Sequence, residues 1–153
     1  MNERLLGIAA RRLMVGLRVE RATADLPQTT AAAIFTVSGG RVCITNIVGE
    51  VTTAIQNQAN NTKLTANPDT GTSVDICAAL SIANDEVGTL YGITGTAADA
   101  MIGVNAGAVP AMAKGVIVNT GTIDLDCAAS NTGKVKWVIT YYPIDDGAAI
   151  TAA

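Results

Sequence analysis

Two pairs among the thirteen Asp and Glu residues have a spacing that can do chemistry. Asp124 and Asp126 alternate with Ile123, Leu125 and Cys127, so on a strand both carboxylates leave the same face. With Asp145 and Asp146 they offer the oxygen ligands that a hard divalent cation takes. The same residues also make a solvated strand face that resists pairing with stray sheet edges. That plainer reading is preferred, and no metal or other cofactor is expected.

Little else is equipped for catalysis. Proton transfer at neutral pH most often uses histidine, and the chain has none. Ser38, Ser73, Ser81 and Ser130 fall in turn-like or strand-edge contexts, without a Gly-x-Ser-x-Gly elbow. Lys114-Gly115 lacks the glycines of a phosphate-binding loop. Cys43, Cys77 and Cys127 are odd in number and widely spaced, which reads as small buried hydrophobes in a reducing compartment rather than a zinc site. The expectation is a protein that is not an enzyme.

The charged cluster that stands out is basic. Arg4, Arg11, Arg12, Arg18 and Arg21 lie in the first 21 residues, and only Arg41 follows. Set against Glu3 and Glu20 they give this leader net +3, so with the chain at -3 the remainder carries -6. Nucleic acid is a poor fit, because the overall balance is acidic and no aromatics accompany the arginines. Docking on an acidic partner is favoured, with Arg4, Arg11, Arg12, Arg18 and Arg21 making charge-assisted pairs while Leu5, Leu6, Leu13 and Leu17 fill apolar pockets.

The elements that position these residues differ in texture. Residues 3 to 21 read as a helix, with Leu6, Leu13 and Leu17 near one face and Arg4, Arg11 and Arg18 at seven-residue intervals along another. An extended arm that joins a neighbour's sheet is nearly as good a reading. Ala24-Asp25-Leu26-Pro27 ends any helix. From residue 33 the chain reads as short strands between turns at Ser38-Gly39-Gly40, Asn60-Asn61, Asn67-Pro68-Asp69-Thr70-Gly71 and Ser130-Asn131-Thr132-Gly133. The first and last of these read as hairpins. Lys134 to Tyr142 is the longest strand, with Val135, Trp137, Ile139 and Tyr141 facing the core and Trp137 as its anchor. Gly95 through Ala113 shows no alternation and reads either as a long functional loop or as one short helix plus a loop.

The fold class expected is all-β, a sandwich or jelly-roll-like barrel of about eight to nine short strands with an N-terminal arm. Residues 1–24 form the arm, 25–147 the β-rich domain and 148–153 a flexible tail. Aromatics supply only 3% of residues, so the core is aliphatic, and a chain of small apolar side chains gains from burying more surface between subunits. Leu5 to Ala10 is too short for a signal peptide and is interrupted by Arg11-Arg12, so the mature chain is expected to start near Met1. No run of 18 apolar residues is present, so no membrane contact is expected. Asn60-Asn61-Thr62 has the form of a glycosylation acceptor but reads as a turn.

Several short motifs carry a resemblance. Leu26-Pro27-Gln28-Thr29-Thr30, Ile34 through Val42, Gly49-Glu50-Val51-Thr52-Thr53, Gly121-Thr122-Ile123-Asp124-Leu125 and Gly133-Lys134-Val135-Lys136-Trp137 are similar to stretches of the head decoration, or cement, proteins of tailed bacteriophages. The likeness covers about residues 25 to 147 and omits the leader. It implies a β-rich homo-oligomer, dimer or trimer, on the outer surface of a virion head, assembled in the host cytoplasm. There it would bridge subunits of the major capsid protein, with no catalytic residues to carry over. A tail or fibre module that binds host-surface carbohydrate is the alternative, weakened by the scarcity of aromatics to stack on sugar rings.

Overall fold

The computed structural model describes residues 3–105 and 107–153, with side chains from residue 7 onward. A helix, α1 (Glu3–Val15), leads into β1 (Leu17–Asp25), β2 (Ala31–Ser38), β3 (Val42–Thr53), β4 (Asn61–Pro68), β5 (Val74–Asp75) and β6 (Leu80–Ser81). The chain continues through β7 (Leu90–Gly92), β8 (Ile102–Val104), β9 (Val116–Val118), β10 (Gly121–Cys127), β11 (Lys134–Pro143) and β12 (Ala149–Ala152). One sheet runs β1-β11-β3-β7-β8 with β9 also on β3, and the second runs β12-β2-β10-β4-β5 with β6 also on β4. The pairs are antiparallel and the sheets do not close, so the all-β expectation resolves to a sandwich. No described helix is long and apolar enough to cross a membrane.

Period-two burial builds the core between the sheets. On β11, Val135, Trp137, Ile139 and Tyr141 are buried and Lys134, Lys136 and Tyr142 are not, as the alternation predicts. A single rung across the first sheet organises the largest side chains. Trp137 pairs with Gly49, Gly49 with Tyr91, and Tyr91 with Gly103. Paired residues share a face, so each aromatic ring lies over the glycine beside it. A Cβ on Gly49 would sit 2.8 Å from the Trp137 ring, and one on Gly103 would sit 3.3 Å from the Tyr91 ring. The rings themselves stack with centroids 6.2 Å apart. The Tyr91 hydroxyl donates to Asp85 Oδ2 at 2.6 Å, and burial raises the pKa of both groups above their ordinary values.

The N-terminal reading needs correction. The helix stops at Val15, and Leu17–Asp25 is a strand hydrogen-bonded to β11. Gly16 takes φ +92 and donates to the Arg12 carbonyl at 3.0 Å, which is how a left-handed residue closes a helix end. The seven-residue arginine spacing therefore does not run along one helix, because Arg18 and Arg21 belong to β1. At the other end, residues 148–153 are not a loose tail. Ala149–Ala152 pairs with β2, and Ala148 and Ile150 are buried.

Two apparent hairpins are also corrected. Ser38-Gly39-Gly40 and Ser130 to Gly133 each carry the chain from one sheet to the other, since β2 and β3, like β10 and β11, lie in different sheets. Turn residues specify a reversal, not the partner of the strand that follows. Asn60 braces the second crossing: its amide donates to the Ala129 carbonyl at 3.0 Å and accepts from the Ala129 N–H at 3.1 Å. It is 1% exposed, so it cannot take a glycan in the folded chain. Gly49 lies inside one continuous β3.

The rung yields a test. Gly49→Ala forces the Trp137 ring out of its seat and is expected to cost about 1–3 kcal/mol by overpacking, read as a lower denaturation midpoint. Gly7→Ala, with nothing within 4 Å of the added methyl, serves as the control and leaves that midpoint in place.

Candidate functional site

The leader helix stands beside the sandwich without burying a described side chain in it. Every described side chain of α1, residues 7–15, is exposed, with Leu13 at 88%, Met14 at 85% and Ile8 at 48%. Its junction with the sandwich is held by Thr45 Oγ1, which donates to the Val15 carbonyl at 2.6 Å. Beyond that joint, crevices of about 260 and 370 Å³ remain open on either side of the helix, over Thr140 and over Thr45 and Asn46. Arg12 in the last turn complements the negative end of the helix dipole.

The predicted docking residues thus divide. Arg11, Arg12 and Leu13 are exposed on α1. Arg4, Leu5 and Leu6 lie on the same helix, and their side chains fall outside the described ones. Leu17 opens β1 at 39% exposure. Arg18 pairs with Glu20 on β1 and holds that carboxyl below its usual range. Arg21 is in register with buried Trp137, and its Nε donates to the Ala153 carbonyl at 3.2 Å. It ties the edge of one sheet to the end of the last strand of the other.

A second feature was missed in the sequence. At the open flank of the sandwich, β5 and β9 border a cleft of about 290 Å³ whose walls include Ala66, Val74, Asp75, Ile117, Val118 and Thr122. Val74 and Ile117 stand 59% and 63% exposed on its rims. Next to it, on the outer face of the second sheet, Asp124 is paired with Thr65 and Thr65 with Asp75, while Asp126 is paired with Lys63. Lys63 Nζ lies 2.9 Å from Asp75 and 3.9 Å from Asp126, and the Asp75 hydrogen bond raises the lysine's pKa. Asp124 is only 6% exposed, and its Oδ1 has no hydrogen-bond partner.

The carboxylates do not gather as a cation site. Asp145 is held by Arg41, which donates to it from Nε at 2.9 Å, from Nη2 at 2.8 Å and from its backbone N–H at 2.8 Å. These bonds push the Asp145 carboxyl far below its usual range. Among the described residues no three His, Cys, Asp or Glu are placed to hold a metal ion. Cys43, Cys77 and Cys127 are buried and unpaired, and burial raises the thiols of Cys77 and Cys127. Of the aromatics, Phe35, Tyr91, Trp137 and Tyr141 are buried and Tyr142 is exposed.

No family model, curated protein or solved structure matches this chain.

Two outcomes follow from the carboxylates. Burying an acceptor without a partner costs roughly 1–3 kcal/mol, so Asp124→Thr is expected to raise the chemical denaturation midpoint of the chain. Asp145 has a depressed folded pKa, so its contribution is complete above the unfolded value near about 4 and is lost as pH falls through the folded one. Asp145→Asn therefore lowers the melting temperature at pH 7, and its gap to the parent chain narrows as the pH is taken towards about 2.

Proposed function

We propose that this protein is a structural part of a virion, a decoration or cement protein that binds the outer surface of a tailed-phage head and bridges major capsid subunits. The observation that carries this reading is the leader helix: basic, apolar and exposed at every described side chain, on a body otherwise packed around its own core. An exposed apolar face rimmed by charge marks an interaction site. The arginines are suited to carboxylates on the partner, and the apolar side chains to small pockets between them.

The resemblance supports the reading from the other side. Its motifs fall on the sandwich and include both Gly49 and Trp137, which meet in the central rung. A rigid sandwich of this kind is suited to a part that must resist strain. Cementing itself is multivalency, in which several modest contacts per oligomer make detachment slow without any one of them being strong. A carbohydrate-binding module is disfavoured because Tyr142 is the one exposed aromatic.

The test is co-sedimentation with expanded capsid shells. A chain lacking residues 1–15 keeps β1 and hence the sheet, and it is expected to bind shells at least tenfold more weakly and with a flatter salt dependence. Equal binding by the full and shortened chains, at low and high salt alike, overturns the proposal.

A further inference from the structure

The leader's apolar and basic surface has a counterpart on the same molecule. The cleft between β5 and β9 is apolar on its rims, where Val74 and Ile117 are exposed, and its volume of about 290 Å³ falls just under the range of small-molecule sites, roughly 300–1,000 Å³. It is a seat for a few side chains. Asp75 belongs both to the cleft wall and to the acidic face beside it, where Asp124 and Asp126 stand on the neighbouring strand. Three carboxylates share that face with one cation, Lys63, whose Nζ reaches Asp75 and Asp126. Asp124 Oδ1 is left buried and unpartnered, an acceptor without a donor. A fold keeps such a group at a cost to its own stability.

From these observations we infer that α1 of one copy docks in the β5–β9 cleft of a second copy, seating Leu13 and Met14 between Val74 and Ile117 and placing Arg11 and Arg12 against the Asp75, Asp124 and Asp126 face. Arg11 is three residues before Met14 and so is its neighbour along the helix surface. Seating the apolar pair therefore brings an arginine to the rim. Charge favours the match at long range as well, since α1, with Arg4, Arg11 and Arg12 against Glu3, is net +2 and the remainder of the -3 chain is net -5. Leu13 and Met14 stand two to three residues from the Gly16 joint, so the acceptor cleft of the second copy comes up against the base of the helix. Donor and acceptor surfaces are different patches, so the contact is head-to-tail and closes into a ring when the rotation permits.

This inference rests on the reading of the leader as a docking element and names a sister copy as its partner in the free protein. On a shell, the leader then chooses between two acidic surfaces, sister and capsid, and either choice links neighbouring subunits.

The test needs no shell. Sedimentation equilibrium of the full chain at low salt is expected to show self-association that weakens as salt rises. Arg11→Glu with Arg12→Glu is expected to weaken it at least tenfold, and so is Asp75→Lys with Asp126→Lys, each checked for an unchanged circular dichroism spectrum. Mixing the two charge-reversed chains is expected to restore association in a one-to-one complex, which a merely misfolded variant cannot do. A parent chain that remains monomeric at every concentration overturns the inference, as does a mixture that fails to associate. So does a monomeric parent chain that pellets with anionic lipid vesicles, which assigns the leader to a lipid surface. A chain that is monomeric alone yet binds shells overturns this inference and leaves the decoration reading in place. Self-association without shell binding does the reverse.

Discussion

The sandwich depends on aromatic rings lying flat over glycines. A core with few aromatics has to place each one well, because its aliphatic neighbours bury less area apiece. Trp137 and Tyr91 are the two largest fully buried side chains, and both sit on one rung of the first sheet. That rung ties β11, β3, β7 and β8 side by side, and Arg21 extends it to β1. Through its bond to the Ala153 carbonyl, Arg21 then joins the first sheet to the end of the second. The strand that carries the leader is thus fastened to the rung that holds the two largest buried rings.

The two flanks of the sandwich are consequently unlike. Where β1 and β12 meet, Arg21 closes the flank. Where β5 and β9 face each other, the flank stays open, with exposed aliphatic rims and a crowded acidic face alongside. The leader leaves from the closed side and carries exposed arginines and aliphatic side chains, the complement of the acidic face and aliphatic rims of the open side. Neither surface is covered by the fold of the chain itself.

How much of this was legible in the sequence depended on whether the signal was local. Alternation from Val135 to Tyr141 marked a central strand and its inward face, and Trp137 was identifiable as an anchor because no other tryptophan competes for that place. The buried cysteines were legible from their odd number and wide spacing. Sheet membership was not, because glycine turns look alike whether the chain pairs back or crosses over. β1 was hidden by two overlapping periods: Leu17, Val19 and Arg21 alternate as in a strand, while the arginines repeat as on a helix. Gly16 was the available clue to the break between them. Asp124 looked like a solvated strand residue, and only the crowding of the three-dimensional face shows it covered. The cleft brings together segments more than forty residues apart, Val74 and Ile117 among them, and has no local signature.

Gly16 also governs more than a helix end. With a Cβ it would meet the Tyr141 carbonyl oxygen at 2.1 Å, so the backbone there lies directly against β11 and has no lateral freedom. The leader is consequently launched along a bearing set by the sheet, like a spoke mortised into its hub. Its compass of search is narrow before it meets anything. An appendage so aimed forfeits little disorder on capture, and it also cannot swing round to reach a target lying off its axis.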